Sequence, residues 1–203
     1  VVEVTVAEWN ACVEAGGCEG FETWESCQQA DEEFAPNQCV PGRDDYPANY
    51  LNWYRAESFC RWAGKRLPTS EEWEKGARGT DGRMHAWGEA PPHCGLAHQG
   101  RGPVFDECIG FAGLPDRPVP NHHYVDGVSP FGLLGTMGNV REWVEFREDP
   151  RTVPPEGTLG LSRGAEYGLG EWAISVLAVD SLLAVELASQ GHGVRCAADA
   201  VAP

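Results

Sequence analysis

Cysteine and histidine are the residues of this chain best equipped for chemistry, because thiolates and imidazoles bind metals and take part in redox and proton transfer. The eight cysteines, at positions 12, 18, 27, 39, 60, 94, 108 and 196, form an even set with no Cys-x-x-Cys pair. That spacing argues against a zinc ribbon and against a thioredoxin-like redox site. Four of the eight fall in the first 39 residues, a segment rich in Gly, Glu and Gln with little apolar material for a core. Disulfide stapling fits this pattern and places the chain in an oxidising, extracytoplasmic compartment; a set of buried free thiols in a reducing one is the alternative. The six histidines are His85, His93, His98, His122, His123 and His192. The adjacent pair His122-His123 cannot easily converge on one centre, and His93, Cys94, His98 and Cys108 match no recognisable zinc motif. Solvated loop histidines are the reading.

Few regular elements are available to position these groups. Thr5-Val6-Ala7-Glu8 has the form of a capping box, followed by Val6, Trp9, Cys12 and Val13 on one helical face, and Gly16-Gly17 supplies a stop. Ala56, Phe59, Cys60 and Ala63 recur at helical spacing and predict a second helix over Tyr54 to Ala63, closed by Gly64. Thr69-Ser70-Glu71-Glu72 is another capping box and opens a third helix to about Arg78. Residues 18–50 and 79–121 are rich in turn formers and predict loops; short strand-like pieces follow, including Gly193 to Ala197. At 203 residues the chain fits one α+β domain spanning 1–203, without internal repeats. Its formal charge of −16 repels phosphate backbones and anionic lipid, so nucleic acid and membrane surfaces are poor partners. The longest apolar stretch, Trp172 to Leu187, is broken by Ser175, Asp180, Ser181 and Glu186, so no transmembrane helix is expected. The chain opens on Val1-Val2-Glu3-Val4 without an initiator Met or a basic leader, as expected of a mature or excised domain.

The run Asn52-Trp53, Phe59-Cys60-Arg61-Trp62-Ala63-Gly64-Lys65-Arg66-Leu67-Pro68-Thr69-Ser70-Glu71-Glu72-Trp73-Glu74 resembles the formylglycine-generating enzyme (sulfatase-modifying factor) family. The likeness continues in order through Ala77-Arg78-Gly79, Trp87-Gly88, Ser129 to Leu133, Met137 to Trp143, Arg163-Gly164 and Gly193 to Ala198. Each piece alone is weak, but the ordered set is specific and covers most of residues 1–200. The resemblance implies a C-type-lectin-like fold, with a small twisted sheet, two to three helices and long loops. It also implies a bridge between Cys60 and Cys196. Cys94 and Cys108, which enclose a Gly-rich loop, are the next expected pair, leaving Cys12, Cys18, Cys27 and Cys39 to pair in one of three ways. The family's first strand and hairpin have no counterpart before Val4, as expected of a piece cut from a longer chain.

Formylglycine-generating enzymes oxidise a substrate cysteine with O₂ at two copper(I)-binding cysteines, soft ligands for a soft ion. The matching positions here are Leu169 and Ile174, and no cysteine occurs anywhere in residues 109–195. No copper is expected, and the enzyme reading leans negative. Related iron-dependent sulfoxide synthases use an added helical domain to help hold iron; residues 1–203 show no such segment, and no iron site is expected. The family's Gly-Asn-Val-Trp-Glu-Trp loop supplies hard oxygen ligands for Ca²⁺. Gly138, Asn139, Val140 and Glu142 retain them, with Arg141 in place of the first Trp. Calcium is expected there; the alternative is that Asn139 and Glu142 simply hydrogen-bond the loop. The family's other calcium loop has Leu96 in place of its Asn.

Residues 166–192 depart most from the family pattern, and they surround the family's substrate cleft. Their aromatic and aliphatic members make a surface suited to a protein or peptide ligand; the alternative is a rearranged core. The expected contact residues are Tyr167, Leu169, Trp172, Ile174 and Val176, with Asp180 and Glu186 favouring a basic rim on the partner. Bacterial proteins of this fold include sensory and ligand-binding modules and variable proteins of diversity-generating retroelements. A non-catalytic binding module is therefore the first reading, ahead of a formylglycine-generating oxidoreductase and a structural accessory domain. Sequence alone leaves the oligomeric state open.

Overall fold

Both Thr-x-x-Glu segments begin helices. The computed structural model describes residues 1–21, 27, 35–93, 95–97, 117–167 and 181–199. In α1 (Val6–Glu14) the Thr5 hydroxyl accepts the Glu8 N–H while the Glu8 carboxylate accepts the Thr5 N–H. Helix α2 (Trp53–Trp62) begins one residue earlier than its apolar spacing suggests, because the Asn52 side chain caps it by accepting the Arg55 N–H. Helix α3 (Ser70–Arg78) repeats the capping box with Thr69 and Glu72.

Four short strands form one mixed sheet. They are β1 (Arg141–Trp143), β2 (Leu159–Arg163), β3 (Ser181–Ala184) and β4 (His192–Val194), in the order β3-β2-β1-β4. Strand β2 is antiparallel to both neighbours, with Leu161 opposite Leu182 and Glu142 opposite Arg163; β4 runs parallel to β1, with Gly193 opposite Glu142. The Gly193–Ala197 segment is thus a strand in part: regular pairing ends at Val194, and Ala197 makes an isolated bridge to Arg66.

The core is built on tryptophan. Trp9, Trp53 and Trp143 are buried with Leu51, Phe59 and Leu67, and a smaller cluster gathers around Trp73, Ala77 and Val144. A buried indole N–H usually finds a partner: Trp143 donates to the Leu51 carbonyl (2.7 Å) and Trp53 to the Val144 carbonyl (3.1 Å), whereas the Trp9 N–H has none among the described residues. The first segment contributes more core than its composition suggests, since Trp9, Cys12 and Phe21 all enter the main cluster. Disulfides join Cys12 to Cys18, Cys27 to Cys39 and Cys60 to Cys196. The last is the bridge the resemblance implied, tying α2 to the segment after β4. Cys94 and Cys108 lie outside the described residues. Three disulfides mark an oxidising environment, and no described helix is long and apolar enough to cross a membrane.

Candidate functional site: a buried carboxylate–arginine knot and the surface beside it

All three residues of β1, Arg141, Glu142 and Trp143, are buried. A charge there needs partners, and Glu142 has them. Its Oε2 accepts the Trp73 indole N–H (2.6 Å) and the Arg195 Nε–H (2.9 Å), and its Oε1 accepts an Arg195 Nη2–H (3.0 Å). Arg195 also donates to the carbonyls of Val1 and Leu134. The segment carrying Arg195 therefore holds β1, α3 and the chain's first residues together.

Glu3 is a second carboxylate in the same knot and is completely buried. Its Oε1 accepts the Asn139 side-chain N–H (3.2 Å), while Arg195 Nη2 stands 3.9 Å from Oε2, beyond hydrogen-bond reach. One guanidinium thus serves two buried carboxylates. Burial pushes the Glu3 carboxyl up to about 7; Arg195 opposes the shift and Glu142 adds to it. The sequence offered no sign of this role for Glu3, because burial of a carboxylate leaves no mark in local spacing.

The oxygens expected to hold calcium are largely engaged. Both Glu142 oxygens take N–H donors, the Asn139 Oδ1 accepts the Val119 N–H (2.9 Å), and the Asn139 carbonyl accepts the Tyr167 N–H (3.1 Å). Asn139 holds a left-handed backbone conformation (φ 67°) that suits this bracing role. Gly138, Asn139, Val140 and Glu142 alone do not fit a calcium site, because the loop's one carboxylate is committed to a guanidinium. Asn139 and Glu142 do not simply hydrogen-bond their own loop either: their side chains bond Val119, Glu3, Trp73 and Arg195. Among the described residues, no three or more His, Cys, Asp or Glu side chains are grouped to hold a metal.

Arg141 points inward too and is buried beside His192 and Glu166. Burial lowers the Arg141 pKa, against Glu166, and raises that of Glu166, against Arg141. Burial first, and Arg141 second, hold the His192 imidazole down at about 4. Its ring stacks on Trp143, and its Nδ1 lies 2.5 Å from the Ser189 Oγ. A Cβ on Gly191 would stand 1.5 Å from the Glu166 Oε2, so any side chain there would displace Glu166.

Of the residues expected to form a binding surface, Tyr167 and Glu186 are described; Leu169, Trp172, Ile174, Val176 and Asp180 lie outside the described residues. Tyr167 is half-buried and its hydroxyl donates to the Gln190 Oε1 (2.5 Å). Glu186 is exposed and its carboxylate accepts the Gly157 N–H. One face of β2 and β3 is apolar; its Leu161 packs against the Trp73 cluster, and its rim is exposed. Leu159 and Leu182 are 56% and 63% exposed and share that face with Leu161 and Ala184, by strand register. Leu159 was missed in the sequence because it lies outside the long apolar run.

Among the described residues, a small mixed sheet, three capped helices, long loops and three disulfides define a loop-rich α+β domain organised around a buried Glu142–Arg195 pair. The chain belongs to the sulfatase-modifying factor family: the profile of the "Sulfatase-modifying factor enzyme 1-like domain" matches residues 1–200. It is 35% identical over 184 residues to the formylglycine-generating enzyme of Streptomyces coelicolor, covering 79% of this chain and 55% of that protein. It is likewise 35% identical over 140 residues to the mouse inactive C-alpha-formylglycine-generating enzyme 2, covering 65% of this chain and 41% of that protein. The chain thus spans about half the length, or less, of these two relatives. Solved structures share the fold at 19% identity. PvdO from Pseudomonas aeruginosa superposes with a TM-score of 0.62 over 95% of this chain and 76% of its own. Treponema denticola variable protein 1 does so at 0.57, over 95% and 80%.

Proposed function

We propose that this chain is a non-catalytic, extracytoplasmic binding module that takes a protein or peptide ligand. The observation that carries the reading is the absence of any cysteine between Cys108 and Cys196. Leu169 and Ile174 stand where the family holds copper, and neither side chain offers a donor to a soft metal. The family includes proteins described as inactive and, by fold, a variable protein, so the scaffold persists without oxidase chemistry. The proposed ligand surface comprises Leu159, Leu182 and Glu186, which are exposed, together with the expected contact residues Tyr167, Leu169, Trp172, Ile174, Val176 and Asp180. Exposed aliphatics and the Glu186 carboxylate favour a partner with an apolar centre and a basic rim, while the net charge of −16 disfavours polyanions. Sister genes differing between residues 165 and 192, beside a reverse-transcriptase gene, would extend the reading to a diversified binder.

The second reading, a formylglycine-generating oxidoreductase, draws on the likeness to the Streptomyces enzyme. One assay separates the two: protein incubated with copper(I), a Cys-x-Pro-x-Arg peptide, oxygen and a reductant. No aldehyde above a metal-only blank is expected. Aldehyde formation that depends on the folded protein would overturn the non-catalytic reading.

A further inference from the structure

The chain carries 31 acidic and 15 basic side chains, yet five of the fifteen gather around one groove. Arg61, Lys65, Arg66, Arg147 and Arg151 line a cleft of about 420 Å³ between α2 and the segment that follows β1. That size falls among ligand sites, which run from roughly 300 to 1,000 Å³. Glu57 and Glu145 are the only carboxylates among the described lining residues, and Leu67 and Pro150 add an apolar wall.

The five cations divide into two sets. Arg147 is 6% exposed, lies 4.4 Å from the centre of the Trp53 ring, and donates to both Glu145 oxygens (2.9 and 2.7 Å). Arg66 donates to Glu72 through Nη1 and Nη2 and to Asp199 through Nε. These two are committed to the chain's own carboxylates and hold the groove's shape. The other three keep donors to offer. Arg61 bonds Glu57 through Nη2 alone, and Arg151 bonds Asp149 through Nε and Nη2, leaving its Nη1. Their side chains are 70% and 89% exposed, and Lys65, also exposed, pairs with no carboxylate among the described residues. Glu72, Asp149 and Asp199 do not line the groove, so the wall that a ligand meets is cationic.

We propose that this groove docks a short acidic segment of a partner protein, in which a few Asp or Glu side chains flank an apolar residue. It shares no residue with the ligand surface described above. A guanidinium fork matches a planar carboxylate, and the groove's own arginines already pair in that way. Leu67, Pro150 and the aliphatic stems of the basic side chains receive the apolar residue. Charges more than about 8 Å away are screened at physiological salt, so a short segment responds to the groove itself. A long polyanion would run onto the acidic surface of a molecule with net charge −16.

Fluorescence anisotropy with a labelled peptide of alternating Asp, Leu and Glu residues tests the assignment, beside its Asn, Leu and Gln counterpart. The acidic peptide should bind, and should weaken as salt rises from about 20 to 150 mM; the amide peptide should bind about tenfold more weakly. Lys65→Gln with Arg151→Gln should cost about tenfold in affinity for the acidic peptide, with a melting point within about 2 °C of wild type, since both side chains are exposed. Lys75→Gln, which removes a cation outside the groove, should leave the affinity nearly unchanged. Equal losses in Lys65→Gln and Lys75→Gln would reduce the effect to net charge and overturn the proposal. Equal affinity for the two peptides, or no binding of either at about 1 mM, would overturn it as well. Tighter binding of inorganic phosphate than of the acidic peptide would assign the groove to a free anion instead.

Discussion

Two buried side chains set opposing pH responses, and each has a sign that follows from its surroundings. Glu3, raised to about 7 from 4.5, keeps a proton in the folded state that the unfolded chain has already released. Its contribution to stability is therefore complete below pH 4.5 and is lost as pH rises towards 7. His192, lowered to about 4 from 6.5, stays neutral while the unfolded chain takes up a proton. It withdraws stability as pH falls from 6.5 towards 4. In chelator, Glu3→Gln should leave a melting point that climbs steadily between pH 4 and 6.5, whereas His192→Gln should leave one that declines from pH 4.5 to 7. A wild-type profile unchanged by either substitution would contradict both assignments. Residue types alone pointed to Glu142 but not to what it touches. Arg195 lies 53 positions away and Glu3 139 positions away, so a local pattern marks the carboxylate and not its guanidinium.

Among the elements, the helices were legible because their signals are local. A capping box links residues three apart, and both examples formed as the sequence implies. Thr5→Ala and Thr69→Ala should each lower stability by about 1 kcal/mol in urea unfolding, with Thr→Ser nearly neutral; a loss below 0.3 kcal/mol in both would show that packing alone holds these helices. The sheet was much less legible. Its strands run three to five residues, too short for alternation to declare itself, and β1 pairs with β4 about 50 positions later. Every residue of β1 and β4 is buried, which erases the polar half of the pattern. The apolar face of β2 and β3 belongs to this scale too. Leu159 becomes a candidate contact only through its strand register, in which it shares a face with Leu182.

At the scale of the whole molecule, the Cys60–Cys196 bridge joins α2 to the last described segment across 136 positions. Closing so long a loop in the unfolded chain stabilises the fold by roughly 4–5 kcal/mol in the chain-entropy model. The paired replacement Cys60→Ala/Cys196→Ala should lower the unfolding free energy by several kcal/mol without changing the helix content. A loss under 1 kcal/mol would mean that the Val4 N–H to Val194 carbonyl bond (2.9 Å) and its neighbours already fasten the two ends. The bridge also sets how the molecule responds to tension. A pull applied at the two ends enters through Val1 on one side and Asp199 on the other, then crosses directly from Cys196 to Cys60. Of the sheet, only β4 is tied directly to the pulled N-terminal segment, through the Val4 N–H to Val194 carbonyl bond; the covalent path bypasses β1, β2 and β3. Stretched in an oxidising medium, the segment between Cys60 and Cys196 could not be drawn out. Only reduction of that one bond would release the enclosed segment, lengthening the tether by about 450 Å.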